Sequence, residues 1–198
     1  MYPLSLHHLT MINASPIELI DAAAAGGFEY VGIRIIAASA SEKVFDLARD
    51  SEMEARVAER LRATGVRVLD IEVVWLQPNT EIAAIVPSLE VGHRLGAKNV
   101  IAIPVDADIA RVQKNFNALC DAAALLDMRV GLEFLTYCSV STLEGALKIL
   151  RASHRDNAQL IVDPLQYQRS GATPQQLADV ESRFLNYMQI CVLNHEQN

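Results

Sequence analysis

Cysteine is scarce: three in 198 residues, Cys120, Cys138 and Cys191. The number is odd and no CxxC spacing occurs, which excludes a disulfide framework and a zinc ribbon. Basic residues are also few. Seventeen Lys and Arg stand against twenty-four Asp and Glu, for a net charge of -7. No basic stripe is present, so nucleic-acid binding is not expected. No apolar run approaches the roughly 18 residues of a membrane span, so no membrane partner is expected. The opening Met1-Tyr2-Pro3-Leu4-Ser5 lacks a basic segment, so no signal peptide is expected. A soluble, reducing, cytoplasmic setting is the expectation. Charge is sparse too, at 21% of residues against 51% hydrophobic, which argues against disorder and for one substantial core.

What is present is alternation. Apolar runs of strand length fall near residues 4–10, 30–36, 66–74, 99–105, 129–135, 159–163 and 186–192. Helical signals lie between them. Ser15-Pro16-Ile17-Glu18 combines a capping residue, a first-turn proline and a Glu three positions on. Gly27, Gly65 and Gly96 follow helical stretches, where a left-handed cap is common. Ser141-Thr142-Leu143-Glu144 and Thr173-Pro174-Gln175-Gln176 start two more helices. The reading is seven strands alternating with six helices, which predicts a parallel sheet with right-handed crossovers. Val100-Ile101-Ala102-Ile103 is apolar throughout, as a strand buried on both faces should be. No linker interrupts the pattern, so residues 1–198 read as a single domain. Neither GxGxxG nor GxxxxGK[ST] occurs, which disfavours an open nucleotide-binding sheet.

Two of the strands end in acids. Val130-Gly131-Leu132 runs into Glu133, and Leu160-Ile161-Val162 into Asp163. A carboxylate closing a buried strand is costly unless something binds it. Equivalent placement on consecutive strands puts both acids on the rim where α/β proteins carry their active sites. Two anionic oxygens suit a divalent cation, Mg2+ or Mn2+ first, with Co2+ or Zn2+ after them. The competing reading is a buried salt bridge with Arg34 or Arg169.

Leu6-His7-His8-Leu9-Thr10, Tyr30-Val31-Gly32-Ile33-Arg34, Leu69-Asp70-Ile71-Glu72, Gly131-Leu132-Glu133-Phe134, Asp163-Pro164-Leu165-Gln166 and Tyr187-Met188-Gln189-Ile190-Cys191 together resemble the xylose-isomerase-like TIM barrels. That superfamily comprises sugar phosphate isomerases and epimerases, with inosose and dehydroshikimate dehydratases and endonuclease IV. The resemblance runs in order along nearly the whole chain. It implies an α/β, TIM-barrel-like (β/α) fold of about seven parallel strands, truncated before the eighth strand, with the last βα unit missing. It also implies one divalent metal, held by Glu133, Asp163 and Gln189, where Gln189 stands in place of a histidine. The histidine usual three residues after the strand-six Asp is Gln166 here. The Asp usual three residues after the strand-seven ligand is Val192.

Other candidates line the same rim. Glu72 reads as a catalytic acid or base beside Glu133, or else as a partner for Arg34. Strand neighbours alternate faces, so one of His7 and His8 points inward. By the resemblance, His8 touches substrate. Arg34, Trp75, Gln166 and Arg169 complete the substrate-binding set, Arg169 as a bidentate partner for an anionic group. Ordinary packing or loop-pinning roles compete at each of these positions. His93, His154 and His195 read as surface or tail residues.

The function expected is metal-dependent isomerisation or epimerisation of a sugar or similar polyhydroxylated keto compound, by proton transfer next to the carbonyl. A dehydratase of inosose or dehydroshikimate type is the alternative. A truncated, inactive binding module is another, and its uncovered edge would favour a homo-oligomer.

Overall fold

The computed structural model describes residues 2–37 and 42–191. Seven strands form one sheet in the order β1 to β7 without reversal: β1 Ser5–His7, β2 Tyr30–Arg34, β3 Arg67–Leu76, β4 Asn99–Pro104, β5 Arg129–Glu133, β6 Ala158–Val162 and β7 Leu185–Met188. The pairings β1/β2, β2/β3, β5/β6 and β6/β7 are all parallel. The helices between them are α1 Pro16–Gly26, α2 Ser51–Thr64, α3 Ile82–Arg94, α4 Ile109–Ala124 and α5 Leu143–Ser153, with two short ones, α6 Pro164–Arg169 and α7 Pro174–Ala178, before β7. Sequential strand order with a helix in each crossover is the TIM-barrel-like (β/α) topology.

Local chemistry sets the boundaries. At α1 the Ser15 hydroxyl accepts from the Glu18 amide while the Glu18 carboxylate accepts from the Ser15 amide, and Pro16 supplies a preset φ. Gly27 and Gly65 end α1 and α2 with φ of 74° and 76°, a region other residues reach only with strain. At α5 the cap is Thr142, whose hydroxyl accepts from the Gly145 amide, and not Ser141. Glu144 pairs with Lys148 instead of closing a capping box.

Three strands differ from the sequence reading. β1 stops at His7, and His8–Met11 turn into a 3-10 helix, so alternation of faces does not reach His8. β3 runs on to Leu76, because Val73-Val74-Trp75-Leu76 prolongs its apolar run; Glu72 therefore sits mid-strand and Trp75 inside the strand. β7 stops at Met188. Between β6 and β7 two short helices replace one.

The described residues group into two compact units. The first holds residues up to Val74, with Glu81–Ile101 and Ala122–Arg129. The second holds Trp75–Thr80, Ala102–Asp121 and the residues from Val130 on. In the first, Leu19, Ile20, Val31, Ile33, Ile71 and Leu89 are fully buried; in the second, Phe116, Phe134, Leu132, Leu160 and Phe184 are. Within each unit, ion pairs tie one helix or strand to its counterpart one repeat along. Examples are Arg94–Glu54 and Lys98–Asp127 in the first, and Arg155–Asp121 and Arg151–Glu181 in the second.

Candidate functional site

In the first unit, three strands place a polar cluster in register. His7 on β1 pairs with Gly32 on β2, and Gly32 pairs with Asp70 on β3; Arg34 pairs with Glu72. Residues two apart share a face, so Asp70 and Glu72 project together. Both are buried, at 2% and 1% exposure. His7 reaches over β2 to Glu72, with Nε2 at 3.1 Å from Oε1. Two strand spacings are about 9.6 Å, a span the ring can help bridge only because Gly32 puts no side chain in between. Its Nδ1 accepts from the Leu9 amide, so Nε2 carries the hydrogen that faces Glu72. Arg34 donates through Nε to Glu42 at 2.7 Å, and its other end lies 4.0 Å from Glu72. Glu72 is thus a buried carboxylate oriented by an imidazole and approached by a guanidinium.

His8 is placed differently from the expectation. It is 2% exposed, its Nδ1 accepts from the Arg34 amide at 2.9 Å, and its Nε2 donates to the Ala14 carbonyl at 2.9 Å. Both ring nitrogens are committed to backbone, so neither is offered to a substrate. Burial holds its pKa below the ordinary value, and Arg34 adds to that against the Ala14 bond. The folded chain therefore takes up this proton less readily than the unfolded chain. The contribution is complete above pH of about 6.5 and is lost as pH falls below it toward the folded value. Urea titrations from pH 7.5 to 5 are expected to show wild type losing midpoint faster than His8→Gln. Parallel slopes would refute this account.

The second unit carries the strand-end acids. Glu133 is the last residue of β5 and Asp163 the first after β6; they are 7% and 8% exposed. Asp163 caps α6: its Oδ1 accepts from the Leu165 and Gln166 amides at 2.7 and 3.1 Å. The Asp163-Pro164 pair carries this cap signal in the sequence, with proline at the first helical position. Gln189 follows β7, and its amide donates to the Val162 carbonyl beside Asp163. The Gln189 side-chain Nε2 is buried without a hydrogen-bond partner among the described residues.

Cys191, which the sequence did not single out, meets Asp163. Its thiol lies 3.2 Å from Oδ2 and 3.5 Å from Oδ1. Partial burial pushes its pKa up to about 11, reinforced by the Asp163 hydrogen bond and the charges of Asp163 and Glu133. The thiol is therefore a protonated donor at neutral pH. The exposed Tyr137 is raised by burial and by negative charge at Cys138, Glu133 and Asp163. Glu133 and Asp163 both act electrostatically on Tyr137 and Cys191.

The remaining candidates separate. Gln166 is buried, and its Oε1 accepts from the Thr136 amide and hydroxyl at 3.1 and 2.9 Å, which clamps the loop after β5 onto α6. Arg169 ends α6, exposed, with no ion pair among the described residues. Trp75 is half-buried, and its indole Nε1 is buried without a hydrogen-bond partner among the described residues. Val192 and His195 lie outside the described residues.

The donor types of the second unit fit a divalent cation. Asp163 is a buried anion whose described partners are two amides and a thiol, all neutral. The Gln189 amide can turn to present its oxygen where the unpartnered nitrogen now stands. Among the described residues, no three His, Cys, Asp or Glu side chains are already gathered around one point.

Sequential parallel strands with acids closing neighbouring strands define an α/β barrel-type protein. A family model described as xylose isomerase-like TIM barrel matches residues 20–197, and the chain belongs to that family. A search of curated proteins finds no significant match. Solved structures do match. The IOLI protein "with a binding zinc atom" is 21% identical with a TM-score of 0.76, covering 96% of this chain and 72% of that one. The probable 3-DHS dehydratase AsbF from Bacillus anthracis is 18% identical with a TM-score of 0.74, covering 94% and 72%. A D-psicose 3-epimerase is 15% identical with a TM-score of 0.66, covering 82% and 63%. At these identities the likeness carries the fold alone.

Proposed function

We propose that this chain acts in metal-dependent proton transfer next to a carbonyl, on a sugar or similar polyhydroxylated keto compound, as an isomerase or epimerase. The observation that carries the reading is the pair of buried carboxylates, Glu133 and Asp163, closing consecutive parallel strands, with the Gln189 backbone bonded to the Val162 carbonyl next to Asp163. These three residues would hold the cation. When bound, it would polarise a substrate carbonyl and favour the enediolate. The α6 cap fixes the Asp163 carboxylate through Oδ1, and Gln166 holds the β5 loop against that helix. Glu133, buried at its strand end, is the unit's second carboxylate for moving a proton. Arg169 would meet an anionic group on a substrate. Membership of a family whose fold is shared with an epimerase and a dehydratase supports the reaction class.

The test is solvent deuterium incorporation at the carbon beside the carbonyl. Purified protein would be supplied with Mg2+, Mn2+, Co2+ or Zn2+ and a panel of keto-sugars, inososes and dehydroshikimate in D2O. Metal-dependent exchange on at least one compound is expected, removed by chelator. No metal retained and no exchange on any compound would sink the reading and leave a binding module.

A further inference from the structure

We propose that the open edge of β7 is an interface between two copies of this chain, which pair there antiparallel about a twofold axis. The interface is independent of the metal reading above. The sheet runs in order from β1 to β7, so β7 pairs with β6 on one side and, among the described residues, with no strand on the other. Gln189 turns its amide to the Val162 carbonyl of β6. Successive residues of a strand turn their backbone groups to opposite sides, so Met188 turns its own to the open edge. Backbone groups left at an edge are a template for another strand. The two edges of the sheet differ in how they are guarded. β1 is three residues long and gives way to a 3-10 helix at His8, and shortness is one way an edge is blunted. Residues 185–191 have no such guard. They read Leu-Asn-Tyr-Met-Gln-Ile-Cys, with no charge, no proline and no glycine. Leu185, Met188 and Ile190 are 41%, 51% and 78% exposed. An uncharged stretch of this length with apolar side chains is the pattern that pairs strand to strand.

Charge selects the occupant. The chain carries a net charge of -7, so two copies repel one another in general. Residues 185–191 add nothing to that repulsion and can face their own copy without like charges meeting. A partner of another kind is selected by complementary charge, and this stretch offers none. Twofold pairing also makes the contact self-limiting. With Met188 opposite its own copy, each chain uses its β7 edge once and both edges close. The exposed Leu185, Met188 and Ile190 lose water in the same contact.

Sedimentation equilibrium of the purified chain is expected to show the mass rising with concentration from 21.7 kDa to twice that value and no further. Hydrogen exchange at the Met188 amide should slow about tenfold over the same range, as the edge becomes paired. Met188→Lys sets two like charges face to face across the axis and should weaken the dimer about tenfold or more. Met188→Leu should leave it unchanged, as should Leu125→Lys at an 87% exposed position outside β7. Circular dichroism of each variant checks that it is folded. A monomer at every concentration overturns the proposal and leaves the edge to a partner of another kind. Growth past two copies overturns the twofold pairing. A dimer indifferent to Met188→Lys, with unchanged exchange at the Met188 amide, places the contact elsewhere and overturns the proposal as well.

Discussion

Asp163→Asn is expected to keep α6 and lose the cation, whereas Asp163→Ala loses both. The carboxylate does two jobs with different requirements. As a cap it needs only an acceptor oxygen near the Leu165 and Gln166 amides, which asparagine supplies as well as aspartate. As a cation donor it needs charge. Metal-free Asp163→Asn should therefore unfold within about 0.5 kcal/mol of wild type, while Asp163→Ala costs about 1 kcal/mol or more. Both should weaken metal binding by about 100-fold or more, since even partners behind a metal ligand are worth roughly 10- to 100-fold. Urea unfolding with and without Zn2+, alongside calorimetric titration, separates the two roles. Zinc affinity unchanged in Asp163→Asn would remove Asp163 from the site.

Gly32→Ala is the most damaging single methyl expected in the first unit. The new Cβ would stand 2.7 Å from Glu72 Oε1 and nearer still to Asp70 Oδ1. Neither is the loose end of an exposed side chain. Both carboxylates are buried, and Glu72 is held by His7 and faced by Arg34. Overpacking typically costs about 1–3 kcal/mol, and disturbing a buried charged group adds to it. A loss of about 3 kcal/mol is expected, read as a drop in the urea midpoint. Asp70→Ala in the Gly32→Ala background should recover part of the loss, a coupling that independent sites would not show. An unchanged midpoint for Gly32→Ala would mean that the two acids are not wedged against β2.

The frame and the two strand-end acids were legible because they are written locally. Strand and helix alternate in the sequence, and Glu133 and Asp163 each terminate an apolar run. What escaped was written at a distance or in a change of geometry. Cys191 meets Asp163 across 28 positions, which no local pattern announces. His8 looked like a strand residue, but the chain enters a 3-10 turn there and both ring nitrogens go to backbone. Glu72 looked terminal because an acid reads as the close of a buried strand, although the apolar Val73-Val74-Trp75-Leu76 carries the strand past it. His7 could have been found from register: a glycine on the middle of three parallel strands invites side chains from either side to meet across it. Asp163-Pro164 was legible as a helix start, a reading that its candidacy as a metal ligand obscured.

The ion pairs between neighbouring repeats bear on how the chain is made. Arg94 and Glu54 are 40 positions apart, Arg155 and Asp121 34, Arg151 and Glu181 30, and Lys98 and Asp127 29. Each joins a segment to the one synthesised just before or after it. Exposed pairs of this kind add little to equilibrium stability, about 0–1 kcal/mol each. Their value is in timing. Closing a loop of one repeat costs little entropy, so a newly emerged helix can dock on its predecessor while the remainder is still on the ribosome. Assembly can then advance in the direction of translation, each completed unit serving as the template for the next.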